Sequence, residues 1–271
     1  MPRKILLITG TQNRHLSIAS EIINSFDLDW IQYKRKLVPQ ENTSLSEEEN
    51  KFLKAHLEKL QLDEIEMIGK FDINLLRNKV ISRGGFVNQV VNKMELNSTY
   101  IKELVKENDY NLAVDYGSGI LDNELISSIG CEIINIHGGI SPYFKGSSTL
   151  LYSLILLQPE LAGMTVHKID EGIDSGDIYR HVIPNLDKDM RPTKIFAQCQ
   201  KQLVLEINSI IEKIISKEYL AVKQPKYGKT FMEKDFRIGN LQNLYISYEN
   251  GVLAKSISKI PENIRKYKIF K

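Results

Sequence analysis

The amino-acid sequence predicts an α/β fold: a Rossmann-like, doubly wound, mostly parallel sheet, then a long helix and a small C-terminal accessory region containing a β-hairpin. Three observations predict it. Lys4–Thr9 (KILLIT) is a short apolar run that stops at Gly10, as a strand buried on both faces does. Behind the turn residues 10–14, His15–Phe26 carries Leu16, Ile18, Ile22 and Ile23 at helical spacing, so the chain opens as β-loop-α. Two later apolar runs, Leu112–Tyr116 (LAVDY) and Cys131–His137 (CEIINIH), break at Gly117-Ser118-Gly119 and at Gly138-Gly139.

The remaining elements come in order. Ser46–Leu60 reads as a surface helix, with Ser46 and Glu49 spaced as a capping box. Lys79–Ile81 reads as a short strand before Gly84-Gly85, and Phe86–Leu96 and Tyr100–Glu107 as helices. Leu121–Ile129 is helical, with Gly130 in the position glycine favours just past a helix end. Ser148–Leu157 is a helix, and Thr165–Ile169 and Ile178–Ile183 are strands. From Arg191 to Lys217, Ile195, Cys199, Leu203, Ile207, Ile210, Ile211 and Ile214 mark one face of a long helix that opens at Pro192. Asn243–Tyr248 alternates before Asn250-Gly251, the pattern of a hairpin. The boundaries are 1–190 for the main α/β domain, 191–217 for the long helix packing on it, and 218–271 for the accessory region.

Bulk properties exclude several classes. The 271 residues are 42% hydrophobic and 26% charged, as in a globular protein, with a net charge of +2. Near-balance gives no reason to invoke nucleic acid or a membrane surface. Arg265, Lys266, Lys268 and Lys271 read as a solvated tail, and His15 and His56 as surface histidines. Two cysteines, Cys131 and Cys199, make no disulfide framework, and metal-ligand spacing is missing, so no metal is expected. With no leader ahead of the first strand and no run long enough to span a bilayer, the expected location is cytoplasmic.

The chemistry concentrates in residues 134–177. Asn135 and His137 lie two apart at a strand's end and so share a face. Carboxyl ends of strands are where open α/β sheets bind ligands. A hydrogen-bonded pair bracing the Gly138-Gly139 turn is the simpler alternative. The next forty residues favour a site. His137 leads through Gly-Gly-Ile-Ser-Pro-Tyr-Phe-Lys-Gly, and the chain returns as Val166-His167 and a loop punctuated by Gly172 and Gly176 with Asp170, Asp174 and Asp177.

The N-x-H pair, the proline and glycine at matching offsets, and V-H-x-x-D-x-x-x-D-x-G together resemble the folate-dependent formyltransferase family. The likeness runs from about residue 112 to 181 and loosely back to Lys4, and is nearest the sugar-nucleotide N-formyltransferases. It implies a catalytic trio of Asn135, His137 and Asp174, with Asp170 and Asp177 shaping the loop. It also implies that N10-formyltetrahydrofolate lies against Tyr116, Gly117, Ser118, Gly119, Ile120 and Leu121 on one loop. On the other it meets Val166, His167, Ile169, Asp170, Gly172 and Ile173. In that reading Asn135 and His137 donate to the carbonyl oxygen as it gains charge, and Asp174 accepts the amine proton.

Gly139-Ile140-Ser141-Pro142 stands where purine and tRNA enzymes of the family read Ser-Leu-Leu-Pro, and Lys145 where arginine is common. These departures bear on the acceptor amine. An amino sugar linked to a nucleotide fits the chain's size best, with Arg14, Arg83 and Lys145 as contacts to its phosphates or as ordinary surface charge. A homodimer is compatible with this reading. The alternatives are a formyltetrahydrofolate hydrolase, using water in place of the amine, or a formyltransferase acting on another small amine; a nucleotide-binding module without catalysis is the last.

Overall fold

Seven strands form the central sheet of the computed structural model, which describes residues 3–34 and 45–270. Lys271 of the basic tail lies outside the described residues. Strands β1 (Lys4–Gly10), β2 (Asp27–Tyr33), β3 (Val87–Val90), β4 (Leu112–Tyr116) and β5 (Ile133–Gly138) run parallel. A short β6 (Phe144–Gly146) leaves the sheet, β7 (Met164–Lys168) returns antiparallel to β5, and β8 (Ile178–Val182) pairs antiparallel with β7, so it runs in the direction of the first five strands. The order is β3-β2-β1-β4-β5-β7-β8. The chain runs outward from β1 in both directions, so the switch point lies between β1 and β4, where such sheets open a ligand crevice.

Helices cover both faces. One carries α1 (Asn13–Ser25) and α8 (Pro192–Ile215), whose buried stripe from Ile195 through Cys199 to Ile214 packs against strand residues such as Ile5, Leu7 and Val114. On the other, α5 (Thr99–Lys106) and α6 (Asn123–Ile129) bury Ile101, Val105, Leu125 and Ile129 against Leu6, Ile8 and Ala113. Both helices begin on side-chain caps, Ser98 and Asp122, and Gly130 takes the left-handed conformation after α6. The capping box at Ser46 opens α2 (Glu47–Ile68). No helix among the described residues is long and apolar enough to cross a membrane.

One strand is added to the expected elements and three expectations are corrected. Strand β2 escaped notice because its polar residues resemble a loop, yet Asp29 is buried between Lys4 Nζ at 2.7 Å and the Tyr110 hydroxyl at 2.8 Å. Lys79–Ile81 belongs to α3 (Ile73–Ser82), whose first turn is capped by Asp72. Residues 86–96 divide into β3 and α4 (Lys93–Leu96), because Phe86 hydrogen-bonds to Asp29 and Trp30 and so carries the chain onto the sheet edge. The hairpin at Asn250-Gly251 is a helix-helix turn: α9 (Ile238–Glu249) buries Leu241 and Leu244, three apart, and Gly251 at φ 71° leads into α10 (Val252–Ser258).

The two histidines read as surface are buried as well. His56 meets the Tyr245 hydroxyl of α9 at 2.9 Å, and His15 sits beneath the switch point.

The accessory region also supplies β9 (Lys229–Phe231), which pairs parallel with β6. Phe231 stacks on Tyr152 and Phe144, with centroids 4.0 and 5.7 Å apart, and its carbonyl accepts from Ser147 N at 2.7 Å.

Candidate active site

Two strands and a loop bring the polar residues together. Asn135 and His137 project from one face of β5, beside the apolar floor of α5 and α6, and His167 stands opposite Asn135 on β7. The loop after β7 folds back over them and delivers Asp174. Two glycines make that fold possible: a Cβ at Gly176 would lie 1.8 Å from Lys168 O, and one at Gly172 would lie 2.0 Å from Ser175 Oγ. Asp170 braces the loop by accepting from Gly172 N at 3.1 Å and Ser175 Oγ at 2.7 Å.

Asp174 is the hub. One oxygen accepts from Gly146 N at 2.7 Å and lies 3.2 Å from His137 Nδ1. The other accepts from Asn135 Nδ2 at 3.2 Å and lies 3.4 Å from His167 Nε2. Burial alone would raise this carboxyl, but His137, His167 and the Gly146 N–H outweigh it and hold it down to about 2. Asp174 is therefore ionised.

Ring protonation follows from the acceptors. His137 Nε2 faces Phe144 O at 2.9 Å and the Thr149 hydroxyl at 3.1 Å, and that hydroxyl donates to Gly138 O. A carbonyl can only accept, so Nε2 carries hydrogen, and Nδ1 faces Asp174. Burial pushes His137 below the ordinary histidine range, with Asp174 opposing it. The ring is built to receive a proton at Nδ1, next to a fixed negative charge. His167 donates from Nδ1 to Lys168 O at 2.7 Å, leaving Nε2 to accept from Asn135 Nδ2 at 3.2 Å. This ring, placed by resemblance on the folate loop, is a direct member of the cluster.

The residues assigned to cofactor loops divide. Gly117, Ser118, Gly119, Ile120 and Leu121 follow β4 at the carboxyl end of the parallel strands, whereas Ile169, Gly172 and Ile173 follow the antiparallel β7, whose loop starts beside Ile133 and folds back to the cluster through Asp174. Ile120 and Ile173 are large apolar side chains left 68% and 46% exposed there. Val166 and Tyr116 are buried in the core on the α1 and α8 side, so only their backbone can meet a ligand. The Tyr116 hydroxyl donates to Gln200 at 2.6 Å.

The acceptor contacts divide too. Lys145 lies on β6 beside Gly146 and so borders the cluster. Arg14 is held by Glu64 at 2.8 Å and by Gln12. Arg83 is not brought to the site: it caps the end of α3 and donates to Ile23 O near the end of α1, at the amino ends of the strands. Among the described residues, Lys34 and Arg77 reach the carboxyl ends of β1 to β3, beside Thr11 and Gln89 in a cavity of about 260 Å³.

Four further features carried little sequence signal: the Thr149 hydroxyl, the Gly146 N–H, His15 and Asp115. Gly10 and Gly117 close on the His15 ring from two loops; Cβ atoms there would lie 2.4 Å from Nδ1 and 2.3 Å from Nε2. Gly117 also sits at φ 68°. Gly117→Ala adds left-handed strain to overpacking and is expected to cost about 3 kcal/mol, read by urea denaturation. Gly119→Ala, with ordinary φ and nearest contacts of 3.2 Å, is the milder control. Equal midpoints for the two variants would refute the clamp. Among the described residues, no group of three or more His, Cys, Asp or Glu side chains could hold a metal ion.

Comparison with known proteins agrees with this geometry. Methionyl-tRNA formyltransferase of Elusimicrobium minutum (strain Pei191) is 25% identical over 153 residues, 56% of this chain and 40% of that protein. Formyltetrahydrofolate deformylase 1, mitochondrial, of Arabidopsis thaliana is 33% identical over 86 residues, 32% of this chain and 26% of that one. The chain thus spans less than half the length of either. The N-formyltransferase of Helicobacter canadensis, solved with folinic acid and dTDP-3-aminofucose, superposes with a TM-score of 0.54 at 15% identity, covering 90% of this chain and 81% of that one. The formyl transferase family model matches residues 54–204, more than half of the sequence and all of the polar cluster, so this chain belongs to the formyl transferase family.

Proposed function

We propose that the chain transfers a formyl group from N10-formyltetrahydrofolate to the primary amine of a nucleotide-linked amino sugar. The observation that carries the transfer is the Asn135–His137–Asp174 cluster at the end of β5, inside the matched region. The folate fits the residues around it. The loops after β4 and β7 each present an exposed isoleucine beside the polar cluster, a wet edge with apolar walls suited to a flat heterocycle. When bound, the folate supplies the formyl carbon.

The chain's own residues do the rest. The two Asn135 amide hydrogens meet His167 Nε2 and Asp174 before substrate binds, and one swings from these acceptors to the carbonyl oxygen as it gains charge, a contribution that typically amounts to about 3 kcal/mol. The amine's proton passes to the Asp174–His137 pair, where His137 Nδ1 receives it against the carboxylate, and is returned to the folate N10 as the formyl C–N10 bond breaks and tetrahydrofolate leaves. Gly146 N–H keeps Asp174 ionised and aimed. No nucleophilic side chain is needed, and holding two substrates together supplies much of the remaining acceleration.

The amino-sugar acceptor is supported by the likeness in fold to the Helicobacter canadensis enzyme, whose structure holds such a nucleotide sugar. The cavity flanked by Lys34 and Arg77 suits its phosphates. Incubation with N10-formyltetrahydrofolate and a panel of amino-sugar nucleotides should release tetrahydrofolate only when a matching amine is present. Steady release without any amine would make the chain a hydrolase, the activity its deformylase relative is named for. No folate binding would overturn the reading.

A further inference from the structure

Asp115 is a charged residue in the middle of a buried strand, and no step of the proposed transfer uses it. The register aligns Asp115 of β4 with Asn135 of β5, and Asn135 with His167 of β7. Residues in register on adjacent strands share a face, so the three form one row across the sheet. The row's next member, Ile8 on β1, is fully buried.

Asp115 itself is only 8% exposed, and its Oδ1 is buried without a hydrogen-bond partner. Its charged surroundings are Asp174 and His167, with hydrogen bonds from the Ser118 side chain and the Tyr116 backbone. A carboxylate with an unsatisfied oxygen next to a second carboxylate is costly; a neutral carboxyl is not. Burial, with the Asp174 charge adding to it, raises Asp115 to about 7 against the pull of Ser118 and His167.

Asn135 has a matching requirement. Its amide nitrogen serves His167 and Asp174, both on the β7 side of the row, at 3.2 Å each. Its amide oxygen can only accept, and Asp115 is its registered neighbour on the other side.

We propose that Asp115, in its neutral form, is the positioning residue for Asn135: its carboxyl O–H donates to the Asn135 amide oxygen and holds the amide nitrogen on the β7 side, facing His167 and Asp174, from which one hydrogen is passed to the reacting carbonyl. Ionisation of Asp115 removes the donor and loosens that orientation. The inference rests on the catalytic role proposed for Asn135, but its structural core can be read without turnover.

Two variants test it. Asp115→Asn keeps a donor at every pH, and Asp115→Leu removes it at similar volume. The first readout is the side-chain amide ¹⁵N resonance of Asn135, followed by pH titration without substrate. It should shift through about pH 7 in the wild type and stay flat in Asp115→Asn. The second is kcat against pH. The ratio of Asp115→Asn to wild type should rise about tenfold between pH 6 and 8, as expected for a group titrating near 7, with KM for the folate unchanged. Asp115→Leu should lower kcat at all pH. An Asn135 resonance that does not titrate in the wild type, or a kcat ratio independent of pH, overturns the proposal. Titration of that resonance in a chain that transfers no formyl group supports the positioning role and refutes only the function.

Discussion

Asp174→Asn is expected to lower kcat/KM for formyl transfer by about 10³-fold, with the fold intact. The carboxylate takes hydrogen bonds from Gly146 N and Asn135 Nδ2 while facing His137 Nδ1. An amide offers one acceptor oxygen in place of two. If that oxygen keeps Gly146, the new NH₂ group is set against the Asn135 amide, donor against donor. If it turns to Asn135, the clash moves to Gly146. In either orientation the negative charge that favours a proton on His137 is gone. Asn135→Ala should lose less, about 10²-fold, because it removes one donor and leaves the proton acceptor in place. Single-turnover assays with circular dichroism as the folding control decide the matter. Activity within tenfold of wild type in Asp174→Asn would refute the proton-accepting role.

Acid should destabilise the protein between pH 6.5 and 4, with a slope set chiefly by His56, His181 and Asp115 and added to by His137. Burial lowers both His56 and His181 to about 4, from an unfolded value of 6.5. In that window the unfolded chain binds two protons that the folded chain refuses, so stability is full above 6.5 and falls as pH drops. Each group contributes about 1.4 kcal/mol per pH unit. Asp115 acts oppositely. Raised to about 7 from 3.8, it holds a proton when folded that the unfolded chain releases, so its stabilisation is present at low pH and lost as pH rises through 7. The balance is a net loss of about 1.4 kcal/mol per unit on acidification, or about 3 kcal/mol across the window, a sizeable part of a typical folding free energy. Burial also lowers His137, which steepens the same slope. Urea midpoints at pH 7 and 4.5 measure it, and Asp115→Asn should make it about twice as steep. A midpoint that does not move, in either protein, would contradict the buried neutral histidines.

How much of the fold and site was legible depended on the kind of signal. Apolar strands ending in glycine, such as Lys4–Gly10 and Ile133–Gly138, announced themselves, as did the three-and-four spacing of α8. Strand β2 did not, because Asp29 and Gln32 are buried polar residues whose partners lie far along the chain. The run at 243–248 misled because Leu-Tyr-Ile-Ser-Tyr alternates locally, while its buried positions, Leu241 and Leu244, keep the helical period. In the site, the spacing of Asn135, His137 and Asp174 pointed to the cluster, and the fold brings the three within hydrogen-bonding distance of one another through Asp174. What spacing cannot carry is register. Nothing local to Asp115 says that it stands beside Asn135, and nothing local to Arg83 says that it faces the wrong end of the sheet.

The pairing of β6 with β9 bears on how the protein is made. Gly146 aims Asp174, yet the strand it belongs to finds its partner about 85 residues later in the chain. A ribosome that has just released α8 has already emitted Asn135, His137 and Asp174, but the nascent chain still lacks Phe231, whose backbone Gly146 packs against. The pairing that holds β6, and with it the Gly146 contact to Asp174, is therefore completed late in synthesis, after the accessory region emerges.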